Sequence, residues 1–214
     1  MSDLSLVAAT LTRELSARYA STVVGPDHLG AQIARGLLRA LAAAVPGAAP
    51  VVDALLARAD HTSVTIPLLA GGCLVVLAPQ HTADGLTRCE VVAHEHQHAA
   101  YIAAEPDGAV IVDYLGSGEL RGLREAEAYC VGMWTRYLLT GALPDLAREM
   151  GSLSSDTYHL DAGDVATARA TLESHLDTMR AGCVPPLRVC RAVLEILQRH
   201  HPEAIVPPEH GAPT

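Results

Sequence analysis

Phenylalanine is absent from this chain, and aromatic residues make up only 3% of its 214 positions. The apolar half of the composition is therefore mainly aliphatic. It is rich in Ala and Leu, both strong helix formers, so a mostly helical chain is expected. Basic residues are scarce: 15 Lys and Arg stand against 24 Asp and Glu, a net charge of -9. A phosphate-binding surface needs clustered cations, and no such cluster occurs, which argues against nucleic acid as a partner. The N-terminal stretch lacks a basic start, and Asp3, Arg13 and Glu14 interrupt any apolar run, so it does not read as a signal peptide. No segment is long and apolar enough to predict a membrane-spanning helix. Together these absences predict a cytoplasmic protein without a membrane partner. The five cysteines (Cys73, Cys89, Cys130, Cys183, Cys190) contain no C-x-x-C pair. An odd, scattered set reads as reduced, mostly buried thiols rather than a disulfide frame. Internal repeats and low-complexity linkers are also missing.

What is present is a succession of helical patterns around one short β-like region. Leu4 to Tyr19 predicts a helix, and Asp27 offers an N-cap for a second that runs to Ala44 with Ile33, Leu37, Leu38 and Leu41 in phase. Pro46, Gly47 and Pro50 break it, and a short helical piece spans Val51 to Ala59. Val64, Ile66 and Leu68 then alternate with their neighbours, Gly71 and Gly72 follow, and Cys73 to Leu77 is a compact apolar run. This pattern predicts a β-hairpin or two adjacent strands. A helix is expected from Leu86 to Ala104, stopped by Pro106 and Gly108, then a short β-like segment at Ala109 to Leu115. Further helices are expected over Leu120 to Leu139, from Asp164 to Met179 and from Pro186 to His200. The fold class is thus α+β and mostly helical. It divides into an N-terminal helical segment (1–60), a metal-binding core (61–141), a C-terminal helical segment (142–201) and a flexible proline-rich tail (202–214), in one compact domain overall.

The helix over Leu86 to Ala104 carries Val91-Val92-Ala93-His94-Glu95-His96-Gln97-His98, an H-E-x-x-H pattern. A helix turns by about 100° per residue, so positions i and i+4 lie on one face, one turn apart. Two imidazoles at that spacing can converge on one tetrahedral zinc. Glu95 lies beside His94 around the helix and can reach a metal-bound water without ligating the metal. Zinc lowers the pKa of that water towards 7, and a carboxylate can then take its proton. His96 points to nearly the opposite side, which removes it from the ligand set. Two His plus a carboxylate also suit Fe(II) or Mn(II).

The segment His94 to His98 resembles the active-site helix of the zincin metallopeptidases. That resemblance implies a zincin-like core in which the motif helix follows a β-sheet whose edge strand borders the substrate cleft, and Val64 to Leu77 would supply such strands. Zincins differ in the third ligand. Metzincins place a Gly and then a His just beyond the second motif His, whereas Ala-Ala-Tyr-Ile-Ala-Ala-Glu follows His98 here. A gluzincin takes a Glu from a following helix, and the candidates are Glu105, Glu119, Glu125 and Glu127. Glu127 shares a helical face with Cys130, Val131, Trp134 and Leu138, which is otherwise apolar and expected to point inward. The face of Glu125 continues through Ala128, Tyr129, Gly132 and Arg136 and is more polar. A carboxylate on a buried face needs a charge partner, which a metal provides, so Glu127 is the expected third ligand and Glu125 the reserve. The segment Glu125-Ala126-Glu127-Ala128 also resembles the E-x-E-A signature of small gluzincin-like families, among them repressor-cleaving peptidases.

The resemblance implies a Zn²⁺-dependent peptidase acting on an intracellular peptide or protein, with Glu95 as general base. Two other functions share the same residues: a metal-dependent hydrolase of non-peptide amides or esters, and a non-catalytic zinc-containing regulatory or binding protein. Tyr158 and His159 are candidate donors for a developing oxyanion. His61 and His81 flank the strand region and could line a cleft. Cys130 and Trp134 read as core.

Overall fold

The computed structural model describes residues 3–57, 62–68, 71–105, 109–153 and 158–207. Helix α1 (Leu4–Arg18) starts at Asp3, whose carboxylate accepts from Ser5 N. The chain then enters β1 (Ser21–Val24), a strand that sequence patterning does not predict. Four residues are too few to display a period, although three of them are β-branched. Helices α2 (Leu29–Ala44) and α3 (Ala48–Ala57) follow. His28, rather than Asp27, stands before α2, and its Nδ1 accepts from Gly30 N at 3.1 Å.

Strands β2 (Val64–Pro67) and β3 (Cys73–Val76) form the expected antiparallel pair, joined through Gly71 and Gly72, both at positive φ. The sheet order is β1-β3-β2, with β1 parallel to β3 and Ser21 opposite Cys73. Every residue of the central strand is buried, as its continuous apolar run requires. Side chains of β3 alternate between two layers. Leu74 and Val76 pack with Ile66 and with Ala31 of α2, while Cys73 and Val75 join the main core.

That core is helical. Helix α4 (Gly85–Ala104) packs against α1 and α6 (Gly118–Thr140), with α8 (Ala162–Arg180) and α9 (Arg188–His200) closing the far side. Two shorter helices, α5 (Ala109–Gly116) and α7 (Leu146–Leu153), border α6. The stretch read from sequence as β-like, Ala109 to Leu115, is therefore helical. Val110 and Leu115 are buried while Val112 is 48% exposed, so docking one side of a helix outweighs the β-propensity of Val110-Ile111-Val112. The cap of α8 is Asp161; Asp164 is its reciprocal partner, with Asp164 N donating to Asp161 Oδ1 (2.8 Å) and Asp161 N donating to Asp164 Oδ2 (3.0 Å).

Trp134 is fully buried, and its indole N–H donates to Cys190 O at 3.1 Å. All five cysteines are free; Cys183 alone is exposed. Beyond α9 the chain makes a 3₁₀ turn at Pro202–Ala204, and Val206 N donates to Leu138 O at 2.8 Å. Residues 202–207 are thus docked where the prolines predict a flexible tail, and 208–214 lie outside the described residues. Among the described residues no helix is long and apolar enough to cross a membrane.

Candidate metal centre

Helix α4 begins at Asp84, whose carboxylate accepts from Leu86 N and Thr87 N, and ends where Glu105 N donates to Tyr101 O. Between these caps the helical phase separates three chemistries. His96 is fully buried towards α1 and β1. Its Nδ1 lies 2.6 Å from Val92 O and must donate to it, so Nε2 accepts from Ser21 Oγ (2.9 Å) and Ser16 Oγ (3.3 Å). His94 and His98 point the other way, towards α6. Glu95 is 3% exposed and lies under β2, where the Thr65 hydroxyl sits 2.8 Å from its Oε2 and 2.9 Å from its main-chain O.

The carboxylate that meets the two histidines belongs to Glu125, not to Glu127. Glu125 Oε1 is 3.5 Å from His98 Nε2, and Oε2 is 3.7 Å from His94 Nε2. The three ligand atoms lie within 4.8 Å of one another. These separations are long for hydrogen bonds. The two carboxylate–imidazole distances, one to each oxygen of Glu125, approach the roughly 3.3 Å edge of a tetrahedron whose metal–ligand bonds are about 2.0–2.1 Å. Glu125 Oε1 accepts from the Tyr114 hydroxyl at 2.6 Å, but Oε2 is buried and has no hydrogen-bond partner among the described residues. A buried, unpartnered carboxylate oxygen facing an imidazole nitrogen is what a cation would satisfy. His94, His98 and Glu125 could hold a metal ion.

Glu127 turns aside and accepts from the Tyr101 hydroxyl. The facial argument fails because α6 runs through the middle of the protein. Arg121, Glu125, Ala128, Gly132, Trp134 and Leu138 are all buried, so no side of its central turns is a solvent face. The face named as more polar is the one against α4. A Cβ on Gly132 would lie 3.4 Å from Glu90 O, and Arg136 bonds Glu90 at 2.7 Å.

The surroundings set protonation. Burial, followed by the neighbouring His98 and His81, lowers His94 well below the usual imidazole range, which keeps it neutral and able to ligate. Burial raises the Glu95 carboxyl to about 8; the Thr65 hydroxyl opposes this and the Glu125 charge adds to it. Two tyrosines wedge the imidazoles edge-on: Tyr129 at 4.8 Å from His94 and Tyr114 at 6.2 Å from His98, between ring centres.

Two cavities meet at His94, Glu95 and Tyr158. Tyr158 is buried there, and burial raises its phenol well above the ordinary range. Its main-chain O is held by Arg121 Nε, and Arg121 Nη2 donates to His159 O at 3.0 Å. Of the two residues named as oxyanion donors, Tyr158 is in the cleft; His159 is exposed at φ 46, outside it. His81 lines one cavity, with Nδ1 2.8 Å from Ser63 Oγ, and His61 lies outside the described residues. Glu105 is half-buried and Glu119 exposed, and Cys130 and Trp134 are core.

Sequence patterning misses Thr65, Tyr114, Tyr129 and Arg121. Glycine inside a helix costs stability unless another backbone needs the space, so Gly132 was the available sign that this face of α6 meets α4. Comparison with family models, curated proteins and solved structures finds no match for the chain.

Proposed function

We propose that this protein is a zinc-dependent metallopeptidase with a zincin-like core, hydrolysing a bond within a peptide or protein. His94, His98 and Glu125 would hold the ion, and Glu95 would move the proton. The observation that carries the reading is the buried, unpartnered Glu125 Oε2 facing His94 Nε2, with the Glu95 carboxylate alongside: Oε1 of Glu95 is 4.0 Å from the same nitrogen. Zinc in such a set supplies Lewis acidity and brings the pKa of a bound water towards 7.

The rest of the chemistry belongs to side chains of the cleft. Thr65 engages Oε2 of Glu95, which leaves Oε1 as the atom that takes a proton from the attacking water. The same carboxyl then returns that proton to the leaving amine nitrogen. Burial raises this carboxyl above the ordinary carboxylate range, which strengthens it as a base for the first transfer. A cation beside it favours the carboxylate form before the reaction. Tyr158, held protonated by burial, is the donor available to a developing oxyanion.

The test is metal analysis of protein purified without added metal, combined with peptide-library hydrolysis. One zinc per chain is expected, and cleavage should stop on chelation. Glu95→Gln should retain the zinc and lose about 100- to 10,000-fold in turnover. Full activity in that variant would sink the mechanism. Cleavage of small acyl-amides or esters with no peptide cleaved would move the reading to a non-peptide hydrolase.

A further inference from the structure

Arg121 stands one turn before Glu125 on α6 and is buried, at 4% exposure. A buried guanidinium is normally met by a carboxylate, because taking an unpaired charge out of water is costly. Among the described residues Arg121 makes no ion pair. Its partners are all main-chain carbonyls, and they come from two segments far apart in the chain. Nη1 donates to Tyr114 O at 2.9 Å, with Ser117 O at 3.4 Å and Leu115 O at 3.5 Å, where α5 ends. Nε donates to Tyr158 O, and Nη2 to His159 O at 3.0 Å. Arg121 lines neither cavity. We propose that Arg121 is the positioning residue of the site: it sets Tyr114 for the metal and Tyr158 for the substrate, and so ties zinc affinity and turnover to one side chain. The inference rests on the metallopeptidase reading and deepens it.

Each arm has its own physical reason. The last carbonyls of a helix have no partner within it, and they form the negative end of its dipole. A cation among them holds the last turn of α5, the turn that carries Tyr114. The Tyr114 hydroxyl donates to Glu125 Oε1 at 2.6 Å, so a shift of that turn reorients the carboxylate facing both histidines. The second arm is a strained turn. His159 has φ 46, a left-handed conformation that is unfavourable for a residue with a side chain and persists where its surroundings enforce it. Arg121 grips the carbonyl on each side of that residue's Cα. This fixes the turn and with it the ring of Tyr158, which lines both cavities beside His94 and Glu95. A guanidinium can span the two segments because its donors leave in a fixed planar fork. An ammonium is a single point of charge and cannot.

The experiment measures zinc affinity, and kcat and KM at saturating zinc, in Arg121→Lys alone and combined with Tyr114→Phe or Tyr158→Phe. Arg121→Gln, which removes the buried charge, is an independent second variant. Arg121→Lys should weaken zinc binding by about 10- to 100-fold. With zinc restored, kcat should still fall by about 100-fold, with little change in KM. The two losses should separate. Combined with Tyr114→Phe, Arg121→Lys should weaken zinc binding no further while kcat still falls. Combined with Tyr158→Phe, it should lower kcat no further while zinc affinity still drops. A residue that only stabilises the fold would lower the urea midpoint and leave the folded protein with wild-type zinc affinity and kcat. That result overturns the proposal, as do losses that add in full in both double variants, and as does failure of both Arg121 variants to fold. Those outcomes leave the metallopeptidase reading standing. Wild-type protein that binds zinc and cleaves no peptide sinks that reading and the turnover arm with it. The zinc titrations with Tyr114→Phe then uphold or overturn the role of Arg121 at the metal by themselves.

Discussion

Glu125 is a carboxylate with 3% of its surface exposed, and one of its oxygens has no hydrogen bond among the described residues. Leaving such a group unsatisfied costs about 1–3 kcal/mol, and more when it is charged. Glu127, two residues on, is half-buried and has the Tyr101 hydroxyl as a partner. The two carboxylates therefore respond differently to removal. Glu125→Ala should abolish stoichiometric zinc binding, and Glu127→Ala should leave it intact. Tyr114→Phe removes the hydroxyl that orients Oε1 of Glu125 and should weaken zinc binding by about 10- to 100-fold. Zinc titration of the three apo-proteins reads this directly. Zinc binding that survives in Glu125→Ala and vanishes in Glu127→Ala would return the ligand role to Glu127.

Among the elements, the motif helix was the most legible part of the chain. His94, Glu95 and His98 are set by spacing alone, and the helix expected from Leu86 to Ala104 coincides with α4 to within one residue. The rest of the site depends on what α4 touches. Thr65 matters because β2 lies over Glu95, and Tyr114 because α5 is a helix that aims it at Glu125. Neither contact has a local sequence signal. The choice between Glu125 and Glu127 turned on a rule for surface helices applied to a helix buried all round. Glycine positions make element packing testable. A Cβ on Gly85, the first residue of α4, would fall 2.6 Å from Leu4 C and 2.8 Å from Ser5 N, both backbone atoms of α1. Gly36, inside α2, has nothing within 4 Å of the same construction. Gly85→Ala should therefore destabilise the protein by about 1–3 kcal/mol. Gly36→Ala should stabilise it by about 0.4–1 kcal/mol, through the unfolded chain and helix propensity. Urea unfolding of both variants is the check, and changes of the same sign would contradict the packing of α1 on α4.

His96 ties the whole molecule together: on α4 itself, it bonds Val92 O behind it and reaches Ser16 of α1 and Ser21 of β1 in front. It joins the sheet layer to the helical core, and it does so only as a neutral ring. Its Nδ1 proton is committed to a carbonyl, Nε2 is the acceptor for two hydroxyls, and burial lowers its pKa from 6.5 to about 4. The unfolded chain, with an ordinary imidazole, binds this proton at higher pH than the folded one. Stability from this group is therefore complete above about pH 6.5 and is lost as pH falls towards 4. The loss is on the order of 3 kcal/mol, since each pKa unit corresponds to about 1.4 kcal/mol. Burial also lowers His81 and His175, which act in the same direction. Chelator-treated protein should thus show a urea midpoint that drops between pH 6.5 and 4. His96→Gln offers a neutral side chain of similar length and should flatten most of that slope while lowering the midpoint at pH 7. A slope as steep in His96→Gln as in the wild type would mean that the acid sensitivity lies elsewhere, with the other buried histidines, and that the junction of α1, β1 and α4 does not depend on this ring.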